Sequence, residues 1–485
     1  MDTKITTNKE LSIWEALIPV FALIGMLAFN VFVFGDSALG GSNQFVLLLG
    51  ASVAAIIGFK NKISYKSMMD EVAENVKSTA GAIFILLMVG ALAGTWLISG
   101  VIPSMIYYGL QILSPAIFLP ATLIICSVIS IATGSSWTTS ATVGIALIGI
   151  GGALGFDKGM IAGAVISGAY FGDKLSPMSD TTNLAPAMAG TDLFTHIRYM
   201  TLTTIPTYII TFILFVILGL AFDAEGTVET ASLLADIKAS FNVSLWLFVV
   251  PVVVIGLIVK KTEPLIALLI GTLLGGAFAL VFQPNIVLML SGATEMNFTS
   301  AYKGIMNAIT TKSVIPTENP TLADLFTSGG MEKMLGTIWL ILCAMVFGGI
   351  MDAIGALSCI SQSLLKLAKS TFGLFASTVG SCLALNITAS DQYLAIVVPG
   401  KMFAQAYKDK GLAPENLSRT IEDSGTVTSV LIPWNTCGAY HAGTLGVGTF
   451  ELLPYAFFNL ISPIMTLIFA AFNIKIKQLT SSIKN

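Results

Sequence analysis

Apolar stretches of about 20 residues recur along almost the whole chain, and they limit the fold more than any other feature. Only 11% of the 485 residues are charged and 55% are hydrophobic, whereas soluble domains carry about 25% charged residues. About 20 apolar residues form a helix that spans a bilayer. The sequence therefore predicts an all-α polytopic membrane protein, a single transmembrane domain over 1–485 whose function lies within the bilayer.

Several function classes are disfavoured by the remaining composition. The formal charge is −3, and the chain has no basic tail or acidic run, which argues against nucleic acid as a partner. The five cysteines form no C-x-x-C pair and there are only two histidines, so zinc, haem and disulfide sites are not expected. No Walker lysine motif is present, which argues against an ATP-driven pump. We therefore expect neither an enzyme nor a resident cofactor.

Two regions of the chain break the apolar pattern. Between 117 and 190, and again between 372 and 448, short apolar stretches alternate with clusters of Ser, Thr, Asp, Asn, Gly and Pro. Non-helical backbone at membrane depth is tolerated only where it is buried in protein or lines an aqueous cavity. The remaining apolar sequence predicts eight uninterrupted spans, at 11–34, 45–59, 80–99, 200–221, 243–259, 264–283, 335–357 and 450–473.

The two broken regions resemble each other at a fixed offset of 255 residues. Gly94 matches Gly349, Gly100 matches Gly355, and Thr133 in the first polar cluster matches Thr388 in the second. This register predicts a structural repeat over 79–221 and a second over 335–473, joined by spans and outer loops over 222–334. We expect Asp423 to occupy in the second copy the place of Asp180 in the first, because each is followed by hydroxyl residues and a later proline.

Loop charges predict the orientation, because cytoplasmic loops collect Lys and Arg. Three basic segments are placed inside, with Lys60, Lys62 and Lys66, with Lys260 and Lys261, and with Lys475, Lys477 and Lys484. The acidic loop is placed outside, with Asp223, Glu225, Glu229 and Asp236. These inside and outside assignments are consistent with one another if 117–154 and 372–406 are re-entrant hairpins, which enter and leave the membrane on one side. The segments 159–190 and 415–447 are then single crossings, each broken in the middle. We therefore expect about ten crossings, two hairpins, inverted repeats and cytoplasmic termini. The segment 62–77 has the spacing of an amphipathic helix in the inner interface.

The first broken crossing carries the densest group of polar residues. Pro177 and Pro186 disfavour helix before them, so we expect the carbonyls of the stretch Gly172–Pro186 to be free for a ligand. Carboxylates, hydroxyls and carbonyls are hard donors suited to Na⁺. The candidate ion ligands here are Asp173, Ser179, Asp180, Thr181, Thr182 and Asn183. A charge within a span indicates function, although Asp173 and Lys174 are also consistent with a surface loop that caps a helix.

The hairpin tips and the second broken crossing add further candidates. Small hydroxyl residues beside glycine suit an ion site, and they suit helix-to-helix packing equally well. These candidates are Thr133, Ser135, Ser136, Thr388, Ser390, Asp391 and Asp423. Glu422 is expected to face the inner surface near Arg419. His196 and Arg198 are expected to be positive-inside anchors, and His441 is either a proton relay or a surface residue.

The string Gly172-Asp-Lys-Leu-Ser-Pro-Met-Ser-Asp-Thr-Thr-Asn-Leu-Ala-Pro186, with Thr133-Gly-Ser-Ser-Trp137, resembles the NhaC family of Na⁺/H⁺ antiporters. The resemblance covers nearly the whole chain and implies an inverted-repeat carrier of the bacterial inner membrane that exchanges Na⁺ for H⁺. Some relatives also carry small carboxylates, which leaves a Na⁺-coupled malate/lactate-type exchanger as the alternative, with Lys174 as the anion contact. Na⁺, H⁺ and membrane lipid are the implied partners, and a homodimer is left open.

Overall fold

The computed structural model of the chain describes residues 11–34, 41–221 and 230–479. The polar N-terminus, the acidic residues Asp223, Glu225 and Glu229, and Lys484 lie outside the described residues. Eight of the described helices are long and apolar enough to cross a membrane, or ten spans in all if two bent helix pairs are each counted as one. The chain is therefore a polytopic helical membrane protein.

The helices of the N-terminal third lead into the first polar cluster and out of it. They are α1 (Ile13–Phe34), α2 (Ser42–Lys60), α3 (Tyr65–Ile98), α4 (Val101–Ile112), α5 (Pro115–Thr133), α6 (Ser136–Thr139), a π-helical segment (Ser140–Gly144), α7 (Ile145–Ala153), α8 (Lys158–Leu175), α9 (Asp180–Ala189) and α10 (Leu193–Ala221).

The middle of the chain contains two spans and a short antiparallel strand pair. Its elements are α11 (Thr230–Ser240), a 3-10 segment (Leu245–Phe248), α12 (Val249–Val259), α13 (Pro264–Phe282), α14 (Pro284–Ser291), α15 (Phe298–Thr310), β1 (Ser313–Val314), α16 (Pro320–Leu325) and β2 (Thr327–Ser328), with Ser313 opposite Ser328.

The C-terminal third contains the second polar cluster. Its elements are α17 (Gly330–Ala353), α18 (Ala356–Lys366), α19 (Thr371–Thr388), α20 (Leu394–Asp409), α21 (Pro414–Ile421), a π-helical segment (Glu422–Thr426), a 3-10 segment (Ser429–Leu431), α22 (Thr436–Leu445), α23 (Thr449–Leu452), a 3-10 segment (Leu453–Tyr455) and α24 (Phe457–Ala471).

Six of the eight uninterrupted spans expected from the sequence are long apolar helices, and the other two belong to bent helix pairs. The span expected over 450–473 bends by 56° between Thr449–Tyr455 and Phe457–Ala471, so the prediction of an unbroken helix there is wrong. The span over 243–259 is preceded by Ala231–Ser240 at an angle of 82°. The segment 62–77 is also not a separate helix, because α3 runs on without a break from Tyr65 to Ile98.

The predicted hairpins and broken crossings are present. In the first hairpin the chain reverses at Gly134, which has φ +68° and ends α5. A Cβ there would lie 2.7 Å from the Met178 Cβ, so glycine is needed both for the turn and for the approach to the first crossing. That crossing breaks between α8 and α9, and the second breaks between the 3-10 segment at 429–431 and α22.

Helix boundaries in the two halves agree at the offset of 255 residues. The helix α3 ends at Ile98 and α17 at Ala353, and the next residues but one, Gly100 and Gly355, are both left-handed, at φ +82° and +76°. The helix α5 ends at Thr133 and α19 at Thr388. This agreement supports the division into repeats over 79–221 and 335–473, which stays a prediction, as does the linking role of 222–334.

Close packing of α5 along α8 positions the first hairpin against the first broken crossing. A Cβ at Gly172 would lie 2.5 Å from the Ser127 carbonyl oxygen, so only glycine allows the two backbones to come this close. The Ser130 hydroxyl donates to the Ala169 carbonyl at 2.5 Å across the same interface. As a result the hairpin tip is held at the level of the break between α8 and α9.

Candidate functional site

A cavity of about 520 Å³ lies where the tip of the first hairpin meets the break in the first crossing. Its wall is completed by α3, by the loop between α12 and α13, and by the second hairpin through Gln392 and Tyr393. Six of the candidate ligands from the sequence line it: Thr133, Ser135, Asp173, Ser179, Asp180 and Thr181. The structure thus brings candidates from two separate polar clusters to one polar space.

Asp173 is the buried carboxylate of the cavity. It lies near the end of α8 with only 8% of its surface exposed. Ser136 donates to its Oδ2 twice, from the backbone N–H at 3.1 Å and from the hydroxyl at 2.7 Å. Ser135 supports this arrangement because its hydroxyl accepts from the Thr138 N–H and caps α6. The surface-loop alternative for Asp173 is therefore wrong.

Asp180 is the exposed carboxylate of the cavity. It is the first residue of α9, directly after the break, and its side chain is solvent-accessible. The Tyr393 hydroxyl lies 3.5 Å from its Oδ2, so the second hairpin approaches the first crossing here. Because each carboxylate is on a different half of the broken crossing, the break itself creates the acidic pair.

Ser179 and Thr181 flank Asp180 and extend the polar surface inward. Their hydroxyl oxygens are 3.2 Å apart. The Thr181 hydroxyl also donates to Glu422 Oε1 at 3.1 Å. Glu422 is fully buried, so the expectation that it faces the inner surface is wrong. The π-helical turn over Glu422–Thr426 continues α21 into the protein interior and carries the carboxyl with it.

Thr182 and Asn183 hold the break together instead of facing the cavity. The Thr182 hydroxyl donates to the carbonyls of Asp173 at 3.2 Å and Lys174 at 3.1 Å. The Asn183 amide donates to the carbonyls of Pro177 at 2.9 Å and Ser179 at 2.7 Å. The expectation that these carbonyls are free for a ligand is therefore wrong, because side chains four to nine residues later satisfy them.

Lys174 and Asp423 form a fully buried ion pair. The Lys174 ammonium also donates to Ser462 at 3.2 Å, and the other carboxyl oxygen of Asp423 accepts from Thr203 at 2.8 Å and from Thr466. Asp423 comes before the break of its crossing, whereas Asp180 comes after the break of its own. The expected equivalence of Asp423 and Asp180 is therefore wrong, and Asn435 lies at the offset of 255 from Asp180.

The candidates at the second hairpin tip make internal contacts. Asp391 accepts from the Leu394 N–H at 3.0 Å and so caps the start of α20. Thr388 donates back to the Ala384 carbonyl at 2.8 Å, and the Ser390 carbonyl accepts from the Thr436 N–H at 2.9 Å. The arrangement joins the hairpin tip to the second crossing.

Two amide side chains outside the predicted site residues complete that junction. Asn386 donates to the Gly425 carbonyl at 2.8 Å and to the Thr428 hydroxyl at 3.0 Å. Gln392 donates to the Thr426 carbonyl at 2.9 Å. Their signal in the sequence was a pair of amides flanking a hairpin tip, at the level where the facing crossing leaves α-helical geometry.

Comparison with known proteins agrees with this geometry. Residues 168–474 match the Na⁺/H⁺ antiporter family. The Na⁺/H⁺ antiporter NhaC of Alkalihalophilus pseudofirmus is 37% identical over 417 residues, which cover 86% of this chain and 87% of the relative. The chain belongs to the Na⁺/H⁺ antiporter family.

Relatives of this antiporter are described with other cargoes as well. The malate-2H⁺/Na⁺-lactate antiporter of Bacillus subtilis is 36% identical over 421 residues, covering 86% of this chain and 87% of the relative. The arginine/ornithine antiporter ArcD of Halobacterium salinarum is 33% identical, covering 95% and 92%. All of these relatives are transporters.

A solved structure is also similar to the antiporter, that of Neisseria gonorrhoeae MtrF, described as illuminating a class of antimetabolite efflux pumps. It is 14% identical with a TM-score of 0.40, and the match covers 93% of this chain and 95% of that one. At this identity and TM-score the likeness gives no argument about the site.

Both histidines of the antiporter are fully buried. His196 pairs through Nδ1 with the Ser418 hydroxyl at 2.8 Å, and His441 through Nδ1 with the Ser140 hydroxyl at 2.9 Å. The prediction that His196 is a positive-inside anchor is wrong, and so is the surface alternative for His441. Each imidazole joins two helices that are far apart in the chain, and residue spacing in the sequence does not indicate such a contact.

The chemistry offered by the cavity is that of a hard-cation site. Two carboxylates and several hydroxyls face one polar space, and Na⁺ prefers oxygen ligands of this kind. Within the residues that the structure describes, His, Cys, Asp and Glu side chains form no group of three or more suited to a metal ion.

Proposed function

We propose that this antiporter exchanges Na⁺ for H⁺ at Asp173 and Asp180, with hydroxyl ligands from Ser136, Ser179 and Thr181. One observation carries the assignment. The two carboxylates stand on opposite sides of the break in a single crossing, and both line the same cavity. Thr133 and Ser135 line the cavity too and complete the set of nearby oxygens.

The exchange follows from competition between the two cations. Like charges in a poorly solvated site raise each other's proton affinity, whereas an entering cation favours the ionised carboxylates. Na⁺ entry therefore expels protons, and proton entry weakens Na⁺ binding. A carrier that reorients only with the site filled by one or the other exchanges them obligatorily.

The remaining candidates support the site in this proposal. Thr182 and Asn183 stabilise the break, while Asp423 and Lys174 fix the second crossing against α8. Thr388, Ser390 and Asp391 hold the second hairpin tip. Removing one partner of a buried ion pair leaves an uncompensated buried charge. In this proposal, these residues therefore position the helices around the site and do not bind the ion.

The orientation we propose is inward-facing. The loop that carries Lys261, Thr262 and Glu263 lies at the cavity wall, and basic loops of this kind are cytoplasmic. The cavity then opens to the cytoplasm of a bacterial cell, with the protein in the inner membrane and both termini inside. The two repeats have opposite orientations in this arrangement.

A carboxylate exchanger is the alternative, supported by the malate/lactate relative. It requires a cation to hold the organic anion. The residue expected for that role, Lys174, is fully buried and paired with Asp423. Lys261 also lies at the cavity wall, and the similarity to the Na⁺/H⁺ antiporters NhaC makes cation exchange the better-supported function.

Transport in proteoliposomes that contain only this chain tests the proposal. A Na⁺ gradient should drive opposite proton movement with no organic anion present, and Asp173→Asn should abolish it, because the amide keeps the shape and removes the titrating charge. Asp409→Asn, an exposed carboxylate at the end of α20, is the matched control and should exchange normally. Strict dependence on malate or lactate would refute cation-only exchange, and normal exchange by Asp173→Asn would remove this site.

A further inference from the structure

The antiporter contains a second, smaller space on the other side of the ion site. A vestibule of about 170 Å³ is lined by α3, α7, β2 and the end of α22, with Lys158 and Asp324 at its mouth. These two side chains form an ion pair at 3.2 Å. The Thr444 hydroxyl faces this vestibule with no hydrogen-bond partner in the described structure, although the residue is 93% buried.

The helix α3 runs past both spaces and shows how close they come. Its residues up to Ile85 line the ion cavity, and its residues from Val89 onward line the vestibule. Four residues of α-helix rise about 6 Å. The two spaces are therefore separated by about one helical turn, which is far less than the thickness of the membrane.

Four side chains link a residue of the ion cavity to a residue of the vestibule. Trp137, from the first hairpin, lines the ion cavity, and Tyr440 of α22 stacks on it with ring centroids 4.0 Å apart. The Tyr440 hydroxyl donates to the Trp137 carbonyl at 3.1 Å. One turn further along the hairpin, Ser140 pairs with His441. From His441 it is three residues along α22 to Thr444, which lines the vestibule.

These contacts join residues of the first predicted repeat to residues of the second. Trp137 and Ser140 are on the first hairpin, whereas Tyr440 and His441 are on the far half of the second broken crossing. Ser140 begins a π-helical turn, and such turns are common at functional positions. The four side chains named here make polar or aromatic contacts, and the apolar packing beside them is between Gly144 and Leu445.

We propose that Trp137, Ser140, Tyr440 and His441 form the outer gate of the antiporter, and that the vestibule is the outward entrance to the ion site. The gate is closed in this conformation, and the cavity communicates with the Lys261 side. When the first hairpin and α22 separate, the vestibule joins the cavity, and the cation leaves outward through it. This inference rests on the proposed exchange at Asp173 and Asp180.

Crosslinking across the gate tests the proposal. In a background without the five native cysteines, Ser140→Cys and His441→Cys are combined and treated with a short bifunctional thiol reagent that reductant removes. We expect exchange to stop on crosslinking and to return on reduction, and each single variant to be unaffected by the reagent. Unchanged exchange in the crosslinked protein would overturn the gate. Absence of exchange in the wild-type protein would mean that the proposed function has failed instead.

A labelling measurement tests the gate even if transport is lost. Ala82→Cys places a thiol in the ion cavity, and an impermeant thiol reagent is applied from the vestibule side. Tyr440→Phe keeps the stack and removes one hydrogen bond, so outside labelling should rise about two- to tenfold. The control, Tyr208→Phe, removes the Tyr208–Ser127 bond at 3.1 Å, which lies outside the gate. Equal labelling of the two variants would overturn the proposal.

Discussion

The two hairpin-and-crossing regions share an architecture and differ in whether their carboxylates reach a cavity. At the first, Asp180 is exposed to the cavity and Asp173 is held by one residue, Ser136. At the second, Asp423 has three side-chain donors, and the Asn386 and Gln392 amides bind the crossing's carbonyls. A polar cluster in a membrane span therefore serves either an ion or the fold, and access of its carboxylates to a cavity distinguishes the two.

Breaking the buried pair should give the largest effect. Lys174→Ala leaves the Asp423 carboxylate buried with no counter-charge, and such a loss costs about 3–5 kcal/mol of stability. Unfolding of the purified protein, followed by temperature or denaturant, measures it. The double variant Lys174→Met/Asp423→Leu should recover much of the loss. If Lys174→Ala is as stable as wild type, the second region is not the structural one.

Removing the exposed carboxylate should affect transport rather than folding. Asp180→Asn should lower Na⁺-driven proton movement by about 100-fold or more, equivalent to about 2.7 kcal/mol, with little change in thermal stability because the side chain is exposed. Proteoliposome flux and an unfolding curve from one preparation measure both. Wild-type flux in this variant would remove Asp180 from the mechanism.

The affinity of the first region for Na⁺ should also depend on pH, because protons compete for the same carboxylates. Since Na⁺ binds the ionised carboxylates, raising the pH removes the competing proton and strengthens Na⁺ binding. One proton displaced per Na⁺ gives up to about tenfold in apparent affinity per pH unit, or about 1.4 kcal/mol, until the site is fully ionised. Calorimetric titration with Na⁺ across pH 6 to 9 measures it. A pH-independent affinity would contradict the competition.

A cap in the second region should give the smallest effect. Asp391→Ala removes the acceptor for the Leu394 N–H and should cost about 1 kcal/mol. Asp391→Asn keeps a good capping side chain and should be nearly neutral in stability. Both variants should still exchange ions. Loss of exchange in stable Asp391→Asn would move this residue from the fold to the ion site.

Much of the fold follows from the sequence alone. The length and spacing of apolar stretches predicted ten crossings and two hairpins, because only about 20 apolar residues in a helix satisfy both the bilayer and the backbone. Asp173 and Asp180 were identified as candidates because charges in spans are rare and costly. The bend at Ala456 was missed, since a bent and a straight apolar helix have the same composition.

The tertiary structure decided which polar groups are already used. Lys174 and Asp423 are 249 residues apart in the chain, and no local pattern indicates that they pair. Glu422 follows Arg419 by three residues, yet a π-helical turn and burial against Thr181 carry it inward. The sequence determines where polar groups occur in the membrane, because that depends on local hydropathy. Whether each is satisfied depends on long-range hydrogen bonds, and these exist only once the helices have packed.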